Sequence, residues 1–332
     1  MTALLERSTD RTPRTRSVRV TGITWEAEGI LSVTLADPAG DPMPAWDPGA
    51  HVDMELAPGL TRQYSLCGDP ADLRSWTVAV RAAADSRGGS AHVHSTLRPG
   101  DILRVQGPRQ HFPLEDAPAY VFVAGGIGIT PLLPMIEATA ARGATVSVHY
   151  AYSGQAPARF VERLAATGVP VHLHPSAEGR RLDLPTLFAA GTGDALVYSC
   201  GPEGMLTELT ELLPAEALRI ESFSPAPAGS APAGSAPASE DAAPSSACSV
   251  QLGADGPVVE VAEDESVLDA LERAGADVMW SCREGTCGSC EVGVLSGKID
   301  HRDNILLDDE REEGKCFFPC VSRPISTAVL DL

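Results

Sequence analysis

Residues 281–291 read SCREGTCGSCE and place three cysteines in the pattern C-x4-C-x2-C. The chain holds few cysteines elsewhere, so three thiols in one short stretch need a chemical reason. Three kinds of site compete to explain them: disulfide bonds, a zinc ion or an iron–sulfur cluster. The rest of the sequence has to choose between the three.

The spacing of the cysteines favours the iron–sulfur cluster. Zinc sites usually combine two short knuckles, C-x2-C with a second C-x2-C or with a pair of histidines. Here the trio is followed by one distant cysteine, which is the arrangement of plant-type 2Fe–2S proteins. The small residues between the cysteines let the loop wrap a cluster closely and point N–H groups at its sulfurs. The predicted ligands are Cys282, Cys287, Cys290 and Cys320. Cys316 lies near them and is interpreted as a spare thiol.

Length and composition limit the class of protein. The chain has 332 residues, of which 43% are hydrophobic, and this length predicts two or three domains. No apolar run approaches the roughly 20 residues that a membrane-spanning helix needs. Residues 1–16 lack the apolar core of a secretory signal and are predicted to form a disordered leader. We therefore expect a cytoplasmic protein with no membrane partner, where reduced thiols argue against disulfides.

The charge of the chain is negative and unevenly distributed. The net charge is −20, which argues against nucleic acid as a partner. Residues 248–332 contain 18 acidic and 7 basic side chains, so more than half of the net charge lies in this segment. An acidic surface there could serve solubility alone, or it could dock on a basic patch of a partner protein and speed their encounter. Both interpretations stay open.

The chain divides at a segment of low complexity. Residues 224–247 consist almost only of Pro, Ala, Gly and Ser, which predicts a linker because no large apolar side chain is available to bury. Residues 17–115 contain short β-rich segments between Gly, Pro and Asp, which predicts an antiparallel barrel or sandwich. In residues 116–223 strands alternate with helical stretches, which predicts an α/β domain with a parallel sheet. Residues 248–332 form the last, acidic domain and open with a predicted hairpin and helix.

Two motifs in the α/β domain fit a nucleotide site. Residues 125–128, GGIG, follow a predicted strand and open a helix, where glycines let the backbone approach a phosphate. Their spacing is not the usual G-x-G-x-x-G, so a plain turn is an equal alternative. Residues 200–202, CGP, end a later strand where such sheets bind ligands, although for this motif alone a buried cysteine before a turn is the favoured interpretation. No arginine directly follows Ser153 to hold a 2′-phosphate, which favours NADH over NADPH.

Two stretches in the first domain fit a planar ligand that carries a phosphate. Arg62 and Tyr64 lie two apart on one predicted strand and share a face, which joins a phosphate-binding cation with an aromatic ring. Residues 87–90, RGGS, could form a phosphate nest. For the stretch with Arg62 and Tyr64, taken in isolation, ordinary strand residues are the favoured interpretation.

With these motifs in this order, the chain resembles the phthalate dioxygenase reductase family. It is also similar to vanillate demethylase reductases and to the reductase parts of self-sufficient haem-thiolate monooxygenases. The stretches that carry the resemblance are PGAHVDMEL, TRQYSLCG, SRGGS, GGIGITP, YSCGPEGM, ESF, CREGTCGSC and FFPCVSR. The resemblance implies three domains: an antiparallel β-barrel for flavin, an α/β parallel-sheet domain for a nucleotide, and an α+β plant-type ferredoxin domain of the β-grasp fold.

The resemblance also implies roles for individual residues. FMN would bind to the barrel and NADH to the parallel-sheet domain, and Phe223 would be the aromatic side chain near the flavin ring. The residues implied for FMN are Arg62, Tyr64, Ser65, Arg81, Ala83, Gly89 and Ser90. Those implied for NADH are Gly126, Thr130, Cys200, Gly201 and Pro202. Cys200 would shape the nicotinamide pocket rather than act as a nucleophile, and no side chain is expected to do catalytic chemistry.

The implied function is that of an NADH-dependent oxidoreductase, the reductase component of an oxygenase system. Electrons would pass from NADH through FMN to the 2Fe–2S cluster and on to a terminal oxygenase. A Rieske-type non-haem iron oxygenase is the first expectation and a haem-thiolate oxygenase the second, and we expect the reductase to be a monomer. The alternative enzyme is a stand-alone flavin or ferric reductase (diaphorase), but free acceptors do not need a ferredoxin domain. A non-enzymatic alternative is a redox-sensing or zinc-binding interaction protein.

Overall fold

The computed structural model describes residues 15–83, 88–154, 157–178, 181–223, 247–280, 288–303, 305–306 and 308–332, with residues 283 and 285. The chain forms two compact units, one of Ser17–Ala242 and the other of Ala243–Leu332 together with Met1–Arg16. In the described ranges no helix is both long and apolar enough to cross a membrane. The predicted linker lies outside the described residues except for Ala247.

The first unit opens with six strands and a short helix. They are β1 (Thr15–Ala27), β2 (Ile30–Ala36), β3 (Ala50–Ala57), β4 (Leu60–Ser65), β5 (Trp76–Arg81), α1 (Gly89–Ser95) and β6 (Ile102–Gln110). The sheet order is β4-β3-β6-β1-β2-β5. A bridge between Leu66 and Val78 joins the end of β4 to β5, so the sheet curls until its edges meet. Buried side chains such as Val52, Met54 and Trp76 fill the inside. The predicted antiparallel barrel is confirmed.

A parallel sheet follows in the same unit. Its strands are β7 (Ala119–Gly125), β8 (Thr145–Tyr152), β9 (Val171–Pro175), β10 (Ala195–Cys200) and β11 (Leu218–Glu221). Their order is β11-β10-β7-β8-β9. The helices are α2 (Ile129–Ala141), α3 (Ala158–Ala166), α4 (Leu184–Leu187) and α5 (Glu203–Leu212), with 3-10 turns at Gly126–Gly128, Ser176–Glu178 and Ala215–Ala217.

The helices cover both faces of the parallel sheet. Residues of α2 and α3, including Leu132 and Leu164, pack on one face against Phe122. Residues of α4 and α5, including Leu184 and Leu209, pack on the other face against Val123. Because neighbouring strand residues point to opposite faces, the apolar run that continues through β7 is buried on both sides. This confirms the predicted α/β domain.

The described part of the second unit contains a mixed sheet, a two-stranded sheet and two short helices. Its elements are β12 (Cys248–Leu252), β13 (Val258–Val261), α6 (Val267–Arg273), β14 (Val292–Ser296), β15 (Ile299–Asp300), α7 (Asp308–Glu313), β16 (Cys316–Phe317), β17 (Arg323–Pro324) and β18 (Thr327–Asp331). The main sheet has the order β13-β12-β18-β14-β16, in which β12 and β18 are parallel and the other pairs antiparallel. Leu271 of α6 packs in one core with Val250, Phe317 and Leu330. This is the predicted α+β ferredoxin fold.

Candidate functional site

A cavity of about 1110 Å³ lies between the barrel and the parallel sheet of the first unit. Residues of β4, β5 and the start of α1 line one side, and residues at the ends of β7, β8, β9 and β10 line the other. The second side is the carboxyl edge of the parallel sheet, where open α/β sheets bind their ligands. The predicted residues that line this cavity are Arg62, Tyr64, Ser65, Arg81, Ala83, Gly89, Ser90, Gly126, Thr130, Gly201, Pro202 and Phe223.

Arg62 is positioned by both the strand on which it lies and the turn that faces it. Its Nη1 donates a hydrogen bond to the carbonyl oxygen of Thr61 at 2.7 Å. A Cβ on Gly89 would lie 2.5 Å from Cγ of Arg62, so the missing side chain at Gly89 makes room for the arginine stem. The hydroxyl of Ser90 accepts a hydrogen bond from the N–H of Ala83 at 3.2 Å. The side of the barrel that faces the cavity therefore holds a cation beside a glycine turn.

Tyr64 contributes its ring to the same wall and stays protonated. Burial raises the pKa of its hydroxyl to about 12, although the nearby charge of Arg62 acts in the opposite direction. Neutral phenol and charged guanidinium thus lie side by side at physiological pH. This pairing suits a ligand that has both a planar ring and an anionic group.

The GGIG turn approaches the end of β10 very closely. A Cβ on Gly128 would lie 2.2 Å from the carbonyl oxygen of Cys200, and a Cβ on Gly125 would lie 2.3 Å from Cδ of Pro202. Gly126 has φ +57°, a left-handed conformation that favours glycine. The hydroxyl of Thr130 donates to the carbonyl oxygen of Ile127 at 2.9 Å and so stabilises the turn. The turn and the CGP motif form one continuous backbone surface in the cavity.

Cys200 is the predicted site residue that does not line the cavity. It is fully buried in the core of the parallel-sheet domain, packed among Phe122, Ala124 and Tyr198. Burial, and then the charge of Glu221, raises the pKa of its thiol well above the usual value. A protonated thiol beneath the turn can support the backbone of Gly201 and Pro202, which do reach the cavity.

Glu221 lies behind the cavity wall, and the motif analysis assigned it no role. The Ser65 hydroxyl donates a hydrogen bond to its Oε2 at 3.4 Å, across from the barrel to the end of β11. Burial raises the pKa of this carboxyl to about 8, and the bond from Ser65 only partly offsets the rise. Two residues later Phe223 is half exposed and lines the cavity. Strand pairing brings these groups together, so no local pattern indicated the role of Glu221.

The far end of the cavity contains polar groups, of which the motif analysis singled out only Ser153. Ser153, His174, Ser176 and Arg181 line it at the ends of β8 and β9 and in the segment that follows. His174 Nε2 lies 3.3 Å from Nδ1 of His149, which holds its ring in place. Ser153 directly follows β8 and Arg181 comes after β9, so the two residues line one cavity because β9 pairs beside β8.

The cysteine stretch of the second unit is described only in part. Cys282 and Cys287 lie outside the described residues, whereas Cys290 is buried and packs in one cluster with Cys320, Leu268 and Phe318. A Cβ on Gly285 would lie 2.6 Å from Cγ2 of Val321, so this glycine lets the loop approach the segment of the fourth cysteine. The two described cysteines therefore lie together, and a set of four thiol donors fits a 2Fe–2S cluster.

Known proteins resemble this chain over most of its length. Residues 252–324 match the family described as a 2Fe-2S iron-sulfur cluster binding domain. The phenoxybenzoate dioxygenase subunit beta of Ectopseudomonas oleovorans is 38% identical over 92% of this chain and 93% of its own length. The heme-dependent oxidative N-demethylase beta subunit of Ectopseudomonas mendocina is 39% identical over 87% of this chain and 89% of its own.

Solved structures with the same architecture cover nearly the whole chain. The structure of an intact type IV self-sufficient cytochrome P450 monooxygenase has 42% sequence identity and a TM-score of 0.76, over 96% of this chain and 41% of the other. Phthalate dioxygenase reductase, described as a modular structure for electron transfer from pyridine nucleotides to [2Fe-2S], has 30% identity and a TM-score of 0.65. That match covers 96% of this chain and 98% of the other.

Proposed function

The chain belongs to the phthalate dioxygenase reductase-like family of oxygenase reductases. From this premise we propose which of its residues bind FMN, NADH and the 2Fe–2S cluster. It is an NADH-dependent oxidoreductase, the reductase component of an oxygenase system, and its cofactors are FMN, NADH and a 2Fe–2S cluster. Bound flavin supplies the exchange between a two-electron hydride donor and a one-electron cluster. The main support for this proposal is the cavity between the barrel and the parallel sheet, because FMN and NADH have to lie next to each other for hydride transfer.

FMN is held, in this proposal, by the barrel side of the cavity. Arg62 binds the phosphate, and Gly89 and Ser90 surround it with a turn whose backbone is open to the ligand. Tyr64 and Ser65 contact the flavin, and the backbone of Arg81 to Ala83 runs beside the ring. The support is that a cation, a neutral phenol and a glycine turn line one wall.

NADH is held, in this proposal, by the opposite wall. Gly126 and Thr130 form the turn against which the nucleotide lies, and Gly201 and Pro202 flank its nicotinamide end. Phe223 lies next to the flavin ring, and its half-exposed side chain is available for stacking. Cys200 lies beneath the cavity, where its buried side chain supports the backbone of Gly201 and Pro202. No side chain needs to act as a nucleophile or a general base.

The cluster is held, in this proposal, by Cys282, Cys287, Cys290 and Cys320, with Cys316 outside the ligand set. Cys316 pairs by backbone with Gly293 in the sheet, and burial raises the pKa of its thiol to about 12. The spacing of plant-type clusters assigns the fourth ligand to Cys320, which packs in one cluster with Cys290. We retain the domain limits 17–115, 116–223, 224–247 and 248–332 as part of the proposal, with a leader over residues 1–16 whose last two residues already belong to β1.

The partner is a terminal oxygenase, and we propose a Rieske-type non-haem iron oxygenase. Similarity to a dioxygenase subunit and to vanillate O-demethylase oxidoreductase supports this choice. A haem-thiolate oxygenase is the second candidate, favoured by the 42% identity to a self-sufficient cytochrome P450. Mixing the reduced protein with purified oxygenases of each class and comparing their reduction rates tests the choice. Faster reduction of the haem enzyme would reverse the order.

We further propose that the protein is a cytoplasmic monomer. A cluster held by four thiolates needs reduced cysteines, which a reducing compartment maintains. Light scattering after gel filtration measures the mass, and cell fractionation measures the compartment. A mass of twice 34.7 kDa would exclude the monomer.

An anaerobic titration with NADH, followed by visible absorption, tests the electron path. We expect the flavin bands to bleach and the broad iron–sulfur absorbance to fall with them. In a Cys320→Ser variant the flavin should still bleach, whereas the iron–sulfur absorbance should be missing or strongly altered. If the wild-type protein is yellow and bleaches without any cluster signal, the cluster assignment is wrong. The cysteine stretch would then be interpreted as a zinc site or as plain thiols.

A further inference from the structure

Arg283, inside the cysteine stretch, has an unusual backbone. Its φ is +62°, and it is the one residue other than glycine with a positive φ in the ranges that the structure describes. This left-handed conformation is unfavourable for a residue with a Cβ and persists only where surrounding contacts hold it. The contacts of its side chain show what holds it.

The guanidinium of Arg283 is bound by two carboxylates of α6 and by an aromatic ring. Nη1 donates to Oδ1 of Asp269 at 2.5 Å, and Nη2 donates to Oε2 of Glu272. The guanidinium carbon lies 4.0 Å from the ring centroid of Trp280, a cation–π distance. Trp280 Nε1 donates in turn to the other carboxylate oxygen of Glu272 at 2.5 Å. We call Asp269, Glu272, Trp280 and Arg283 the Arg283 clamp.

The same helix also contacts the segment of the fourth cysteine. The N–H of Leu268 donates to the carbonyl oxygen of Pro319 at 2.9 Å. The side chain of Leu268 is fully buried and packs with Cys290, Phe318 and Cys320. Helix α6 therefore contacts the loop through Arg283 at one end of the ligand set and through Leu268 at the other. A helix with both contacts can fix the separation of the two ligand segments.

We propose that the Arg283 clamp positions the cysteine loop on α6 and thereby determines how firmly the cluster is retained and at what potential it is reduced. The inference rests on the proposed ligation by four cysteines. Outer contacts that orient ligands generally affect metal affinity strongly. The charges of the clamp add a second effect, because a reduced cluster carries one more negative charge than an oxidised one and Coulomb interactions distinguish the two.

Substitutions in the full-length protein separate the two effects. In Arg283→Gln, release of iron to a chelator, followed by loss of visible absorbance, should become about tenfold faster. Glu272→Gln should also release iron faster, because the loop loses one of its two carboxylate contacts. The reduction potential, measured by EPR-monitored titration, should become more negative in Arg283→Gln, which loses a cation, and more positive in Glu272→Gln, which loses an anion.

Two further variants act as controls. Arg283→Lys keeps the charge but loses the two-pronged contact, so it should release iron faster while its potential stays near that of the wild type. Arg273 lies on the same helix but pairs with Glu265 at 3.0 Å, and Arg273→Gln should leave the release rate unchanged. Thermal unfolding of every variant confirms that the measured protein is folded.

The outcomes distinguish this inference from the proposed function. If the wild type shows no cluster signal, the proposed ligation fails and the clamp fails with it. If the wild type has a cluster but Arg283→Gln and Arg283→Lys release iron at the wild-type rate, only the clamp is wrong. Shifts of the potential in the same direction for Arg283→Gln and Glu272→Gln would also overturn it, since loosening alone would then explain both.

Discussion

Glu221 is a carboxyl that connects the two halves of the first unit. It accepts a hydrogen bond from Ser65 of the barrel, and once ionised at higher pH its charge adds to burial in raising the pKa of Cys200 in the parallel sheet. Burial raises its own pKa to about 8. The group thus remains largely protonated at neutral pH, next to the wall that we propose binds FMN and NADH.

The raised pKa of Glu221 makes the stability of the fold depend on pH. An exposed glutamate, as in the unfolded chain, has a pKa of about 4.3. Between about pH 4.3 and pH 8, Glu221 is therefore protonated in the folded protein but ionised in the unfolded chain. The stabilising contribution is complete below the lower value and is lost as the pH rises through the higher one. We expect the unfolding temperature of the wild type to fall relative to Glu221→Gln between about pH 5 and 8.

Parallel curves of unfolding temperature against pH for the two proteins would contradict this prediction. Glu115 offers a matched control, since its pKa is lowered by the hydrogen bond and charge of Arg219 rather than raised. Glu115→Gln should leave the dependence between these pH values unchanged.

A second prediction is that Arg181 contributes to the activity of the protein with NADPH. It lines the far end of the cavity with Ser153 and His174, where a ribose 2′-phosphate can reach a guanidinium. Arg181→Gln should lower kcat/KM for NADPH about tenfold, the value of one charge-assisted hydrogen bond, and change kcat/KM for NADH by much less. Equal losses for both nucleotides would instead indicate that Arg181 binds the pyrophosphate they share.

The turn between β7 and α2 is the element that joins the two nucleotide motifs. Its glycines are needed for close approach, since a Cβ on Gly128 would meet the carbonyl oxygen of Cys200 at 2.2 Å. Sequence analysis interpreted these glycines as phosphate contacts, and their packing against β10 is a second reason for them.

Gly128→Ala should therefore destabilise the first unit by about 1–3 kcal/mol, as overpacking does, and raise KM for NADH. Gly204 in α5 is the matched control, because a Cβ there would meet no atom within 4 Å. Gly204→Ala should be neutral or slightly stabilising, since alanine is favoured over glycine in helices. Urea unfolding of both variants measures the difference, and equal midpoints would contradict the steric argument.

The complete molecule has to deliver electrons from the second unit to a separate oxygenase. The acidic excess of residues 248–332 and the Pro, Ala, Gly and Ser composition of residues 224–247 both bear on this step. A linker determines the effective concentration of the domain that it tethers. The length of the linker should therefore affect the rate of oxygenase reduction more than it affects the reaction of NADH in the first unit.

Deleting half of residues 224–247 should slow reduction of the terminal oxygenase about tenfold, while NADH-dependent reduction of ferricyanide, a small acceptor, should hardly change. A variant with a Gly/Ser segment of the original length is the control, and it should keep both rates. Steady-state oxidation of NADH with each acceptor gives the comparison. A loss of both activities would show that the linker serves the folding of the first unit instead.

Local patterns in the sequence were sufficient for the order of the folds and for the iron–sulfur cluster, whereas FMN and NADH were implied by the family resemblance. Ligand spacing indicates the cluster because thiolates have to surround it, and strand and helix periods indicate the barrel and the parallel sheet because burial follows those periods. Most of the residues predicted to bind FMN and NADH line one cavity. The domain limits and individual roles remain predictions.

Other features depend on strand order, which the chain does not display locally. The barrel order β4-β3-β6-β1-β2-β5 and the sheet order β11-β10-β7-β8-β9 bring distant residues together. Glu221 thereby reaches Ser65, Arg181 joins the cavity, and Cys200 lies beneath it rather than in it. Arg283 likewise meets α6 only because the cysteine loop folds back on that helix. Such contacts join residues far apart in the chain, and no spacing along the sequence encodes which of them become neighbours.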